Sequence, residues 1–341
     1  MKIAIDVMGG DYAPEAIIHG GVEAARMGKG SYEVVMVGDE STIQSYLSRH
    51  FRVHELPISI HHASQKIEMA ESPMAALRKK SDASIKVAME LHQKNEVDAV
   101  ISAGHTGAAM AAAILNLGRI EEVRRPAIGS LVPHAHGVTM LIDVGANVES
   151  NPLHLLQFAV MGSIYMSKVL KSPDPKVGLL NIGEEKSKGS DVLQKAYELL
   201  SKSRLNFVGN IEGREVLSGE VEVIVCDGLV GNIVLKFAES INGVYSKTLK
   251  RKIGKKVFSN VGAFLLKPTF ERLRRIYDYE EYGGAPLLGI NGTCIICHGS
   301  STPKAIKNAV KEAEMMIKQR VNEEISRRLI RMREEKIAEK G

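Results

Sequence analysis

A short run of valine, isoleucine and leucine that ends at once in a glycine-rich polar turn recurs five times along the chain. It opens the sequence as MKIAIDVMGGDYAP (1–14), where the run Ile3 to Val7 carries Asp6 and ends in Gly9, Gly10 and Asp11. It returns as VDAVISAGHTGA (97–108), VTMLIDVGANV (138–148), VGLLNIGEE (177–185) and VEVIVCDGLVGN (221–232). Apolar runs of four to six residues without alternation are the pattern of strands buried on both faces, as in a parallel sheet. Helical patterns lie between them. Ser72-Pro73 is a cap and first-turn pair ahead of MAALRKKSDASIKVAMELHQK, which reads as one helix. Asn151-Pro152 opens a second helix and Ser190-Asp191 a third. Strands alternating with helices predict an α/β fold, three layers with helices on both faces of a mostly parallel sheet. Residues 303–341 read as a charged, solvated helix closing the fold.

Composition narrows the class. The 341 residues are 44% hydrophobic and 25% charged, a globular profile with length enough for a large core. No apolar run reaches membrane-spanning length. The first residues show no secretory leader, and Cys226, Cys294 and Cys297 do not make a disulfide framework, so the expectation is a reducing cytoplasm. Tryptophan is absent and aromatics are 5%, which argues against a base-stacking nucleic-acid surface. The net charge of +5 is local: Lys247 to Arg275 holds ten Lys/Arg and one acid, Glu271, so the rest of the chain is net negative. That pattern points to one acidic partner surface.

In open α/β sheets ligands bind beyond the carboxyl ends of the strands. The five polar turns are therefore expected to line one crevice. The second turn, Ser102-Ala103-Gly104-His105-Thr106-Gly107, leads into an alanine-rich helix. Glycine amides and a helix N-terminus make it a candidate phosphate or oxyanion cradle. It is neither a P-loop nor a dinucleotide fingerprint. Asp227, Asn232 and Lys236 mark the fifth turn, with Lys236 one helical turn beyond Asn232; Lys186 and Lys188 follow the fourth. A lysine beside phosphate supplies charge without a metal.

Three patterns invite other chemistry. Cys294-Ile295-Ile296-Cys297-His298 spells a haem-attachment motif, but the run is strand-like and would place its cysteines on opposite faces. His61-His62 and His134/His136 have no companion ligands at metal spacing and read as surface or loop residues. Between residues 247 and 275, Val257, Phe258, Val261, Phe264, Leu265, Leu266 and Phe270 form an apolar stripe flanked by Lys255 and Lys256. It fits a dimer contact, a membrane-surface anchor or a dock for an acidic protein.

Taken together, Asp-Val-Met-Gly-Gly-Asp (6–11), Ser-Ala-Gly-His-Thr-Gly-Ala (102–108), Asp-Val-Gly-Ala-Asn-Val (143–148), Asn-Ile-Gly-Glu-Glu (181–185) and Cys-Asp-Gly-Leu-Val-Gly-Asn (226–232) closely resemble the bacterial phosphate acyltransferase family of phospholipid synthesis. Residues 282–289 and His298-Gly299 match as well. The resemblance implies transfer of a long-chain acyl group from acyl carrier protein to inorganic phosphate, giving acyl phosphate, without a cofactor or metal. It also implies a homodimer of two intertwined α/β halves, like isocitrate and isopropylmalate dehydrogenases. Peripheral membrane contact and a downstream glycerol-3-phosphate acyltransferase belong to the same expectation. Asp-x4-Asn-x3-Lys is similar to a motif of phosphate acetyl- and butyryltransferases, so short-chain acyl-CoA is the alternative donor; a non-catalytic membrane-docked scaffold is another. The sequence departs from the family at His105 (usually Asn), Val230 (commonly Thr) and Ala83 (usually Ser).

Phosphate is its own nucleophile, so the chemistry requires binding a dianion beside a thioester and stabilising an oxyanion. The expected catalytic residues are Lys188, Asn232, Asp227, His298 and Asn147. The expected phosphate or substrate ligands are Asp6, Gly9, Gly10, Asp11, Gly104, His105, Thr106, Gly107, Asp143, Glu184 and Lys236. The aspartates are read as positioning groups, with capping of a glycine turn as the alternative role.

Overall fold

The computed structural model describes residues 1–52, 55–253 and 279–338. In chain order the elements are β1 (Lys2–Asp6), α1 (Glu15–Gly28), β2 (Glu33–Gly38), α2 (Glu40–His50), β3 (Ile58–His62), α3 (Pro73–Lys79), α4 (Ser84–Gln93), β4 (Ala99–Ser102) and α5 (Thr106–Leu117). Then come β5 (Ala127–His134), β6 (Gly137–Ile142), α6 (Pro152–Val169), β7 (Val177–Leu180), α7 (Asp191–Ser201), β8 (Phe207–Ile211), β9 (Val223–Val225) and α8 (Gly228–Ile253). The chain closes with β10 (Ala285–Leu288), β11 (Cys294–Ile296), α9 (Pro303–Lys318) and α10 (Val321–Ala338).

These elements fall into two compact units. The first comprises Met1–Gly129, Val160–Pro173 and Glu280–Gly341; the second comprises Ser130–Ala159 and Asp174–Tyr279. In the first unit the strand order is β3-β2-β1-β4-β11-β10, followed by the start of β5. All neighbours are parallel except β10, which runs against β11 and β5. Asp6 pairs with Ser102, and Ser102 with Ile296, so the ends of β1, β4 and β11 lie level. In the second unit β6, β9, β7 and β8 follow in that order and pair in parallel. Ile142 and Leu179 both pair with Val225, which brings the ends of β6, β9 and β7 level.

The apolar runs form strands because both their faces are covered. Ile3, Ala4 and Ile5 of β1 and Val223, Ile224 and Val225 of β9 are all buried, where alternation would have left every second residue wet. Each fully buried isoleucine or valine contributes roughly 1.5–3 kcal/mol. On one face of the first unit α1 packs against α9. Gly20 permits that approach: a Cβ there would stand 2.6 Å from Cβ of Ile306.

The structure corrects three expectations. Residues 73–93 form two helices: the chain breaks at 80–83, where Asp82 accepts from the Ser64 amide and hydroxyl and pulls the backbone out of helical register. The charged tail is likewise two helices, parted at Arg320, which has a left-handed φ of 52°. It is also not merely solvated, since α9 buries Ile306, Ala309, Val310, Ala313 and Met316. His134 is buried, not on the surface; its ring packs against Gly219 and its Nδ1 accepts from the His136 amide at 3.2 Å. The basic stripe residues Lys255, Lys256, Phe258, Phe264, Leu265 and Leu266 lie outside the described residues. Among those described, no helix is long and apolar enough to cross a membrane.

Candidate active site

The five expected turns fall into two groups. Those after β1 and β4 belong to the first unit, beside the end of β11; those after β6, β7 and β9 belong to the second.

In the first unit Asp6 is the hub. Its carboxylate is buried, with Oδ1 accepting from Ser84 Oγ and Oδ2 from Ser102 Oγ, both at 2.6 Å. The amides of Met8 and Gly9 donate to it as well. Burial pushes its pKa up, opposed by those four donors. Ser102 Oγ in turn accepts from the Gly104 amide at 3.1 Å. The loops close so tightly that a Cβ on Gly9 would stand 2.7 Å from Asp6 Oδ2 and 2.8 Å from Gly104 Cα. Gly10 adopts φ +122° beside the Gly299 carbonyl, and the Asp11 amide donates to that carbonyl at 2.8 Å. The turns after β1, β4 and β11 are thus tied into one surface.

Two imidazoles stand on that surface, each fixed by a backbone amide. His105 caps α5, its Nδ1 accepting from Gly107 N–H at 3.2 Å. His298 Nδ1 accepts from Ser300 N–H at 3.2 Å. A neutral ring whose Nδ1 accepts carries its proton on Nε2, so both present an Nε2–H donor. Thr106 is exposed at the first position of α5, and Asp11 is exposed. The amides of Gly9, Gly104 and Gly107, expected to cradle an anion, are engaged within the turns. Side-chain donors therefore join the remaining backbone amides, such as that of Gly10, as candidates for holding an anion there.

In the second unit Asp143 plays the matching part. It is fully buried, and its carboxylate accepts from the amides of Gly145, Ala146 and Asn147 and from Asn147 Nδ2, at 2.7–3.2 Å. Asn147 O accepts from Gly228 N–H, and the Cys226 thiol donates to the Asp143 carbonyl, so the turns after β6 and β9 are joined. Gly231 packs against that carbonyl so closely that a Cβ would stand 1.9 Å from it. Asp227 caps α8 through the Val230 amide at 2.8 Å. Asn232 is exposed on the first turns of α8, and Lys236 pairs with Glu239 at 2.9 Å. After β7, Lys188 is exposed and has no carboxylate partner among the described residues. Glu184 is bound to Arg214 at 3.3 Å, a partner that sequence spacing does not reveal.

Burial pushes the Cys226 thiol well above its usual range, and Cys294 up to about 12, so none of these is a poised nucleophile. Cys297 is buried beside Cys294's strand and is raised in the same way. Among the described residues no group of three or more His, Cys, Asp or Glu could hold a metal ion. Ser84 was the site residue missed by sequence, since it lay inside the expected long helix.

Residues 1–324 match the family described as fatty acid synthesis protein. A phosphate acyltransferase of Pelotomaculum thermopropionicum is 48% identical over 325 residues, 95% of this chain and 94% of that one. A phosphate acyltransferase of Moorella thermoacetica is 49% identical over 320 residues, 94% and 93% of the two chains. Among solved structures, a phosphotransacetylase from Streptococcus pyogenes superposes with a TM-score of 0.63 at 16% identity, covering 93% of this chain and 94% of that one. A branched-chain phosphotransacylase from Enterococcus faecalis gives 0.58 at 13% identity, covering 92% and 99%. These two likenesses concern the fold.

Proposed function

The chain belongs to the fatty acid synthesis protein family and is an acyltransferase, and from that premise we propose that it moves a long-chain acyl group from acyl carrier protein to inorganic phosphate. The observation that carries the reading is the pair of amide-locked imidazoles, His105 and His298, beside the level ends of β4 and β11. Two Nε2–H donors and the Thr106 hydroxyl, at the positive end of α5, suit an oxyanion, and phosphate itself serves as the nucleophile.

In the reaction a phosphate oxygen attacks the thioester carbonyl carbon. The tetrahedral oxyanion collapses, the C–O bond to phosphate stays and the C–S bond breaks. Monohydrogen phosphate gives up its proton and the leaving thiolate gains one, so acyl phosphate and free carrier thiol result. Within the second unit Lys188 contributes positive charge and Asn232 an amide donor; Asp143 and Asp227 hold the turns beside Asn232, and Asn181 Nδ2 donates to the Lys188 carbonyl at 3.1 Å. Asp6 holds the turns of the first unit in the same way. The reading takes a homodimer as the assembly, with a cytoplasmic location and peripheral membrane contact through residues 247–275.

The test is thiol release from palmitoyl-acyl carrier protein, with and without inorganic phosphate, with hydroxylamine trapping the acyl phosphate. Phosphate-dependent release with trapped hydroxamate is expected. Release from acyl-CoA but not from the carrier substrate would replace the donor, and silence on both would leave a scaffold.

A further inference from the structure

The described surface of the second unit carries its large exposed apolar side chains mainly at one place. Val148 follows the β6 turn, Ile182 sits in the β7 turn, and Leu229, Ile233 and Phe237 lie on α8, which starts at the end of β9. Each is more than half exposed, from 53% at Leu229 to 81% at Ile182. Because β6, β9 and β7 are neighbours with level ends, these turns stand side by side.

The arrangement on α8 says what such a surface receives. At about 100° per residue, Leu229, Ile233 and Phe237 make one stripe, and Asn232 and Lys236 make the stripe next to it. Between residues 229 and 237 the helix therefore offers an amide and the Lys236–Glu239 ion pair along one line and only apolar groups along the adjoining line. A ligand that matches has a polar head and an apolar tail running along the helix. The apolar residues also sit on three neighbouring strand-end turns, the place where α/β sheets bind small ligands.

We propose that Leu229, Ile233 and Phe237, with Ile182 and Val148, form an open shelf along which the donor's acyl chain lies. This rests on the acyltransferase reading and adds where the chain goes. The shelf is uncovered on one side, so each methylene loses only part of its water. Full burial of a methylene is worth about a fourfold gain, and half of that free energy about twofold. Preference then rises gradually with chain length, with no sharp cut-off of the kind an enclosed tunnel imposes.

The experiment compares kcat/KM for octanoyl- and palmitoyl-acyl carrier protein in the full-length protein and in Ile182→Ser, Phe237→Ser and the double variant. Displacement of a fluorescent fatty acid by free fatty acids of the same lengths is measured in parallel, with sedimentation to read the assembly. Over the eight methylenes that separate the two chains, wild type should favour palmitoyl by about 250-fold. Each single variant should cut that ratio about threefold to tenfold, and the displacement series should flatten with it. An unchanged ratio in the double variant overturns the shelf. So does a change of assembly state with the ratio preserved, which would make this face a contact between two copies. Both side chains stand in solvent, so the variants should fold. Displacement that depends on chain length and on Phe237, without phosphate-dependent turnover, would sink the reaction and keep the shelf. No binding and no turnover would overturn both.

Discussion

Ser84 Oγ donates to Asp6 Oδ1 at 2.6 Å, joining the start of α4 to the end of β1 across 78 residues of sequence. The acceptor is a buried carboxylate, so the hydroxyl is part of what makes its burial tolerable. Ser84→Ala should cost about 1–3 kcal/mol. The cost should also depend on pH. Burial holds the Asp6 pKa above its ordinary value, so the unfolded chain releases that proton first and stability falls as pH climbs through the gap. Losing a donor raises the folded value further and extends the gap upward. The deficit against wild type should therefore be larger at pH 7 than at pH 4.5 in urea unfolding; equal deficits would remove Asp6 as the cause.

Gly231→Ala should be far more damaging than its size suggests. The added methyl would stand 1.9 Å from the Asp143 carbonyl oxygen, which is backbone and cannot rotate away. A loss of about 3 kcal/mol or more is expected, with poor recovery of folded protein. Gly213→Ala meets nothing within 4 Å and should stay within about 0.5 kcal/mol. Urea midpoints of the two variants decide the point.

The strand-end turns were legible because two signals coincide there, an apolar run too short for a helix and a glycine cluster that halts it. What the glycines do was not. Sequence shows that Gly104 and Gly107 are flexible, but the destination of their amides, Ser102 Oγ and His105 Nδ1, depends on rotamers it does not carry. Ser84 was hidden because helical periodicity runs on through 80–83 with neither Gly nor Pro to break it. The break comes from Asp82 reaching Ser64, a contact outside the helix pattern. Glu184 pairs with Arg214 for the same kind of reason, since 30 residues separate them.

His105 has two ring nitrogens to use: Nδ1 caps α5, which in the neutral ring leaves the proton on Nε2 as a donor. Asn has both an acceptor and a donor and is a strong cap residue, so His105→Asn should leave thermal stability within about 0.5 kcal/mol and KM for phosphate near wild type. Alanine supplies neither group. His105→Ala should cost about 1 kcal/mol of stability and raise KM for phosphate about tenfold. If alanine lowered stability but left the phosphate KM alone, His105 would be a cap and nothing more.

Lys188 offers charge without a structural duty, since no carboxylate among the described residues holds it. Lys188→Met should leave the melting temperature unchanged while kcat/KM for phosphate falls about 10- to 100-fold. Raised ionic strength should weaken wild type more than the variant, because screening acts on the charge that methionine lacks. A kcat/KM within twofold of wild type would take Lys188 out of the reaction.

Glu312 is a buried acid of a different kind from Asp6. It sits on α9 with Tyr165 Oη donating to Oε1 and the Gly284 amide to Oε2, and burial drives its pKa up to about 8. From an unfolded value of 4.5 up to about 8, the unfolded chain has lost the proton while the folded chain still holds it. Stability therefore falls as pH rises through that window, by up to about 1.4 kcal/mol per unit, and levels off above it. Glu312→Gln removes the titration. Glutamine still accepts from Tyr165 but cannot satisfy Gly284 as well, so at pH 5 the variant should be level with wild type or slightly weaker. By pH 8 it should be the more stable of the two, and thermal melts taken at half-unit steps should show the curves crossing. Parallel curves would mean that Glu312 does not change its charge over this range.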